Sequence, residues 1–210
     1  MPGLTDEVSR DTASETMTDE SFHTLLVVRS NNHIKTHRNL NLELPQFNLT
    51  KYKNQFIEKL QESWEKELVS AVTAIVSEVF ISDYLKLLTK ADGIQPMNLA
   101  VVKAHYADEM VHGKVFKLLA KNMFANLNTE QREFFADVLY LPSVWFADNE
   151  LDVWLSALQQ INFKNAESMI ADTKLRNASN IENLDFSEVN FLARELGIVP
   201  KTELYLNCNY

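Results

Sequence analysis

Apolar residues recur every three or four positions along much of this chain, the interval that lines one face of an α-helix. From Lys51 to about Lys90, Phe56, Leu60, Trp64, Leu68, Val72, Ile75, Phe80 and Leu87 keep the interval, predicting one long helix. Residues 91–96, Ala-Asp-Gly-Ile-Gln-Pro, read as a turn. Gly93 suits a helix C-terminus, and Pro96 suits the first position of the next helix, expected over about 97–125. Upstream, residues 5–31 read as a helix with Val8, Ala13, Met17, Leu25 and Val28 loosely on one face, ended by Asn31-Asn32. A loop containing Pro45 is expected over about 32–50. Asn128-Thr129 opens a helix to about Trp145, kinked by Pro142. Shorter helices are expected near 149–161, 163–177 and 186–196, with Gly197 and Pro200 ending the last before an extended tail over 198–210. No β-rich segment is visible. The pattern describes one all-α domain over 1–210, with helices long enough for a bundle.

Composition agrees. Only 4 Gly and 5 Pro in 210 residues leave little material for a strand-and-turn architecture. A net charge of −9 argues against a nucleic-acid partner, because no basic stripe is present to neutralise phosphates. The short basic run at Lys35, His37 and Arg38 reads as a solvated loop, with His33 and His37 exposed. A single cysteine, Cys208, excludes a disulfide framework and suits a reducing, cytoplasmic compartment. The polar first 15 residues lack the apolar segment of a signal peptide. No uninterrupted apolar run approaches the length of a membrane span, so none is expected.

Two short stretches change the picture. Residues 18–24 read Thr-Asp-Glu-Ser-Phe-His-Thr and residues 107–113 read Ala-Asp-Glu-Met-Val-His-Gly. Both contain Asp-Glu-x-x-His, in a chain with five histidines. On a helix, residues three, four and seven apart share a face, so His105, Glu109 and His112 point the same way. Val101, Val102, Ala104 and Val115 lie close by, so that face is expected to look into the bundle. Burying such groups unpaired costs several kcal/mol. Glu78 interrupts the apolar run Ala-Val-Thr-Ala-Ile-Val-Ser-Glu-Val-Phe-Ile and lies as far before the 91–96 turn as Glu109 lies after it. An antiparallel hairpin brings the two level. Glu20 and His23 form the second arm, again three residues apart. Asp19 and Asp108, just before each glutamate, are placed to accept the outer ring N–H of a histidine on the neighbouring helix.

Three carboxylates and three imidazoles are too oxygen-rich for structural zinc. They suit a di-iron or di-manganese carboxylate centre, in which Glu-x-x-His arms from two helices supply bridging glutamates and capping histidines. The metal residues expected are Glu20, His23, Glu78, His105, Glu109 and His112. The competing reading, surface polar residues paired by chance, explains one Glu-x-x-His well and two poorly.

This constellation resembles the para-aminobenzoate N-oxygenase (AurF-like) di-iron oxygenase family. The resemblance rests on Asp-Glu-Ser-Phe-His-Thr at 19–24, on Glu78, and on His-Tyr-Ala-Asp-Glu-Met-Val-His at 105–112, with a 27-residue interval from Glu78 to His105. His105, one turn before the second Glu-x-x-His, matches a histidine that ordinary ferritin-like proteins lack. The motifs cover roughly residues 5–125, with further helices over 126–197. The resemblance implies a ferritin-like core with two Fe ions that activates O2 and oxidises an arylamine to a hydroxylamine and onward to a nitro group, often in secondary metabolism. It implies an electron donor and a homodimer. Carried over, Glu20 and Glu109 are bridging carboxylates, His23 ligates one iron, and Glu78, His105 and His112 ligate the other. The family pattern has a further glutamate on a helix before the first Glu-x-x-His. Only 19 residues precede Glu20, so that ligand and its helix are expected to be absent from this chain.

Three functional readings follow. The first is a di-iron oxygenase acting on the nitrogen of a small aromatic amine. The second is a non-catalytic paralogue with an incomplete site. The third is a di-iron or di-manganese hydroxylase, desaturase or oxidase. Phe22, Phe80, Tyr106 and Phe116 are expected to serve chiefly in the core, with a substrate pocket as the alternative.

Overall fold

The computed structural model of the chain describes residues 2–43, 46–146, 150–177 and 186–200, with Asp83 lacking a described side chain. The described residues form helices α1 (Glu7–Arg38), α2 (Asn48–Lys59), α3 (Ser63–Leu88), α4 (Pro96–Ala125), α5 (Thr129–Val138), α6 (Leu141–Phe146), α7 (Leu151–Gln160), α8 (Ala166–Asn177) and α9 (Ser187–Glu195). No strand occurs among them, so the fold is all-α, in keeping with a ferritin-like bundle. Pro45, Cys208 and all but the first three residues of the expected tail lie outside the described residues.

Helices α3 and α4 form an antiparallel hairpin closed by Gly93, at φ +84°, and by Pro96 at the start of α4. Helix α3 is apolar on nearly every side because neighbours cover most of its faces: α2, α5, α6 and α9 pack around it as well as α4. Leu68, Val72 and Val76 are fully buried there, with Phe135, Val189 and Leu192 from the surrounding helices and Leu139 from the turn after α5. Each such side chain contributes about 1.5–3 kcal/mol on leaving water. An 18-residue window of α3 reaches a mean hydropathy of 1.6, enough by length and composition to cross a membrane. Counting uninterrupted apolar runs overlooks this, because the charged residues Glu78 and Asp83 break the run without offsetting the average. The core position of α3 accounts for its apolarity.

Three boundaries differ from the sequence expectation. Helix α1 continues through Asn31-Asn32 to Arg38. Asn39 caps it in the left-handed conformation, its N–H bonding Lys35 O and Thr36 O, while Lys35, His37 and Arg38 face the negative end of the helix dipole. His33 and His37 are therefore helical, though exposed as expected, with parallel rings 6.0 Å apart. The helix expected over 51–90 is two helices. Leu60 is extended (ψ 148°), and Glu62 starts α3 with a reciprocal capping box to Glu65. The helix expected to run to Trp145 breaks at Leu139–Tyr140, and α6 restarts with Pro142 in its first turn.

Helix α1 lies on α4. Its start is fixed by the Asp6 carboxylate accepting from Ser9 N at 2.7 Å. Before it, Gly3 (φ +74°) presses on α4 so closely that a Cβ would lie 2.3 Å from Met123 O. The face toward α4 carries Ser9, Thr16 and His23, all buried, whereas Val8, Met17, Leu25 and Val28 are 43–75% exposed. The weak apolar stripe read from the sequence thus points largely outward, and a polar stripe is buried instead.

Candidate metal centre

The two Asp-Glu-x-x-His arms meet across the α1–α4 seam. The helices run antiparallel in one register: Ser9 Oγ accepts from Asn122 Nδ2 (3.2 Å), Asp19 lies beside His112, and His23 lies beside Asp108. His23 Nδ1 is 3.3 Å from Glu20 Oε1 and 3.2 Å from Glu109 Oε1, and its Nε2 is 3.1 Å from Asp108 Oδ2. His112 repeats the arrangement with the arms exchanged. Its Nδ1 is 2.7 Å from Glu20 Oε1 and 3.6 Å from Glu109 Oε2, and its Nε2 is 3.5 Å from Asp19 Oδ2. Each aspartate thus stands by the outer nitrogen of the other arm's histidine. With Nε2–H donated to Asp108, His23 keeps the Nδ1 lone pair pointing inward.

Glu20, His23, Glu109 and His112 offer one ligand atom each, all within 4.8 Å of one another. Glu78 and His105 join this group through Glu109. His105 Nε2 lies 2.8 Å from Glu109 Oε1, with its ring centroid 4.4 Å from that of His23. The Glu78 carboxyl hydrogen-bonds to Glu109. Gly113 permits this approach of α3 and α4: a Cβ there would already stand 3.3 Å from Glu78 O. The structure therefore brings together the six residues singled out as metal ligands, with Asp19 and Asp108 behind them.

The electrostatics are those of a site built for positive charge. Burial, followed by the neighbouring Glu109 carboxylate, pushes the Glu78 pKa up to about 9, so Glu78 is protonated at neutral pH. Burial also works to raise Glu109. Hydrogen bonds from His105 and Glu78, with charge from His105 and His112, outweigh it and hold Glu109 below the usual carboxylate value. Glu20 Oε1, His23 Nδ1, Glu78 Oε2, Glu109 Oε2 and His112 Nδ1 are all buried without a hydrogen-bond partner. Five orphaned acceptors in one place would cost several kcal/mol in a protein with nothing to put there. Carboxylate and imidazole donors suit iron or manganese, so the residues present fit such ions.

The aromatic candidates separate. Phe22 is 58% exposed on α1. Phe80 packs on Phe146 and Phe186, and Phe116 packs against the core. Tyr106 lines a pocket between α3, α4 and α9 that also reaches Glu109. Sequence reading missed Gly113 and the Ser9–Asn122 bond. A glycine inside a helix, directly after the second motif, was the available sign of close helix approach.

A carboxylate–histidine cluster drawn from three helices of an all-α protein is the arrangement that helical carboxylate metal proteins use. A family model described as P-aminobenzoate N-oxygenase AurF matches residues 1–197, and the chain belongs to that family. It is 26% identical over 199 residues to a 4-aminobenzoate N-oxygenase from Streptomyces thioluteus, an alignment covering 94% of this chain and 59% of that relative. The chain thus spans less than two thirds of the length of the curated relative.

Proposed function

We propose that this chain is the metal-binding part of a di-iron N-oxygenase acting on the amine nitrogen of a small aromatic amine. The observation that carries the reading is the set of five buried, partnerless acceptors from Glu20, His23, Glu78, Glu109 and His112. Two iron ions held by Glu20, His23, Glu78, His105, Glu109 and His112 would supply the redox chemistry that activates O2; manganese suits the same donors. Asp108 and Asp19 keep the imidazoles turned with Nδ1 inward. Glu78, held protonated by burial and by the neighbouring Glu109 carboxylate, would have to give up its proton to serve as a ligand. The reaction further calls for an electron donor, and we place the protein in the cytoplasm as a homodimer.

A second reading is a metal-binding relative without turnover. It is motivated by the position of Glu7 and Glu15, which are exposed on α1 away from the cluster and add no ligand to it. It is also favoured by the uncovered apolar side of α1. Iron content per chain after loading with ferrous iron, followed by assay of 4-aminobenzoate with O2 and a reductant, separates the readings. Two irons with a nitrogen-oxidised product support the N-oxygenase. Bound iron without product supports the second reading, and no bound iron refutes both.

A further inference from the structure

Of the 4 glycines in the chain, Gly3, Gly93 and Gly197 sit at positive φ, where glycine is the residue that fits. Gly113 does not share that reason. It stands inside α4 in helical conformation, where alanine would serve the backbone better, because an interior glycine weakens a helix. What glycine offers at 113 is space. A Cβ there would stand 3.3 Å from Glu78 O on α3, inside the separation of about 3.5 Å at which such atoms rest. The atom it meets is main chain, so it cannot swing aside as the end of a side chain would. Gly113 also lies four residues beyond Glu109, and the two share one face of α4.

The metal cluster has two unequal parts. Glu20, His23, Glu109 and His112 come from α1 and α4, with ligand atoms all within 4.8 Å of one another. Of the six candidate ligands, Glu78 alone comes from α3, and its hydrogen bond to Glu109 is what joins it to the rest. The separation of α3 from α4 at Gly113 therefore decides whether the Glu78 carboxyl reaches the cluster. Making room for a Cβ shifts the helices by a few tenths of an ångström. That is little for packing, but it exceeds the tolerance of about 0.2 Å on a metal–ligand distance.

We propose that Gly113 is a positioning residue: it sets the α3–α4 distance at which Glu78 can serve the second of two metal ions, and the other ion does not depend on it. The proposal rests on the two-ion reading of the cluster.

The test is loading of the full chain with ferrous iron, with iron per chain measured and the affinity of each ion read by competition with a chelator. The unmodified protein should take up two ions. Gly113→Ala should weaken one of them about 10–100-fold, the usual effect of removing a group that supports a ligand, and leave the other unchanged. Glu78→Gln, which removes the ligand and keeps the backbone, should weaken the same ion. Because Gly113 acts through Glu78, the double variant Glu78→Gln/Gly113→Ala should lose no more than Glu78→Gln alone. Thermal unfolding of the metal-free proteins separates this from a loss of fold: alanine, the better helix former, should leave the Gly113→Ala midpoint unchanged or higher. Two ions bound with unaltered affinity in Gly113→Ala would overturn the proposal. So would a further loss in the double variant, or a lowered midpoint with both ions weakened together, which would mark a packing role. Fewer than two ions in the unmodified protein would refute the two-ion reading itself, and the proposal with it, before any variant is compared.

Discussion

Helices α1 and α3 both lie along α4, yet they bury opposite kinds of residue. Helix α3 buries Leu68, Val69, Val72, Ile75, Val76 and Val79. Helix α1 buries Ser9, Thr16 and His23 and leaves Val8, Met17 and Phe22 more than half exposed. The apolar contact is stabilised by transfer out of water and needs no ligand. The polar contact gains little from transfer. It is held by hydrogen bonds and by a cluster whose acceptors are unsatisfied without positive charge. The lesson is that α3 is part of the fold in any state, whereas the docking of α1 is linked to what the cluster holds.

The largest effect should come from breaking the apolar contact. Leu68→Ala should lower unfolding stability by about 2–5 kcal/mol in denaturant titration, through lost transfer and the cavity left behind. Thr16 is also buried, but its hydroxyl bonds only Thr12 O of its own helix. Thr16→Ala should cost less than about 1 kcal/mol. Equal losses at the two positions would mean that α1 is as integral as α3.

Metal removal should act on the other side of the comparison. Amide hydrogen exchange on iron-loaded and chelated protein should show protection falling in α1, around Glu20 and His23, with the buried stretch of α3 from Leu68 to Val76 unchanged. A uniform loss across both helices would contradict a separately held α1.

A smaller, more local effect should follow from Asp108→Asn. The amide keeps an acceptor for His23 Nε2–H but loses the charge that raises the imidazole's basicity. Iron affinity should fall about 10–100-fold, read by competition with a chelator, with little change in unfolding of the metal-free protein. Asp19→Asn should fall less, because Asp19 stands farther from its histidine, at 3.5 Å against 3.1 Å.

The same contrast explains what was legible in the sequence. The α3–α4 hairpin announces itself because Gly93 and Pro96 punctuate it, and because equal distance from a turn fixes register. Glu78, Glu109 and the two arms follow from helical spacing alone. The facing of α1 was not legible. Its apolar residues are too scattered to define a side, and the winning contacts, His23 with Asp108 and Ser9 with Asn122, lie 85 and 113 residues apart in the chain. The break at Leu60–Glu62 was hidden for another reason. Its start signal is a Glu62–Glu65 capping box, not a Gly or Pro, and the apolar interval runs through it without interruption. Helix α1 outruns Asn31-Asn32 because a weak local preference yields to continued helical hydrogen bonding up to the Asn39 cap.

A third polar contact sharpens the comparison because it involves none of the cluster residues. Buried Asn48, at the start of α2, donates from Nδ2 to Asp152 Oδ1 (3.0 Å) and from its backbone N to Glu150 Oε1 (2.9 Å), tying α2 to α7. Some burial of Asp152 works to raise its pKa. The Asn48 hydrogen bond and backbone donors outweigh it and hold the carboxyl below the ordinary aspartate value. A carboxylate depressed in the folded state contributes stability that is fully present above its unfolded value and disappears as pH falls through the folded one. The contribution therefore belongs to the acid limb, below about pH 4, and is absent from any change near neutrality. Asp152 is exposed, so solvent screening keeps it under about 1 kcal/mol. Asn48→Ala should lower stability slightly at pH 7 and flatten the acid limb relative to the unmodified protein, with iron content unchanged at every pH where the site is loaded. Loss of iron in this variant would show that the α2–α7 contact and the α1–α4 seam are one cooperative unit, and the separation drawn between apolar scaffold and ligand-linked helix would have to be abandoned.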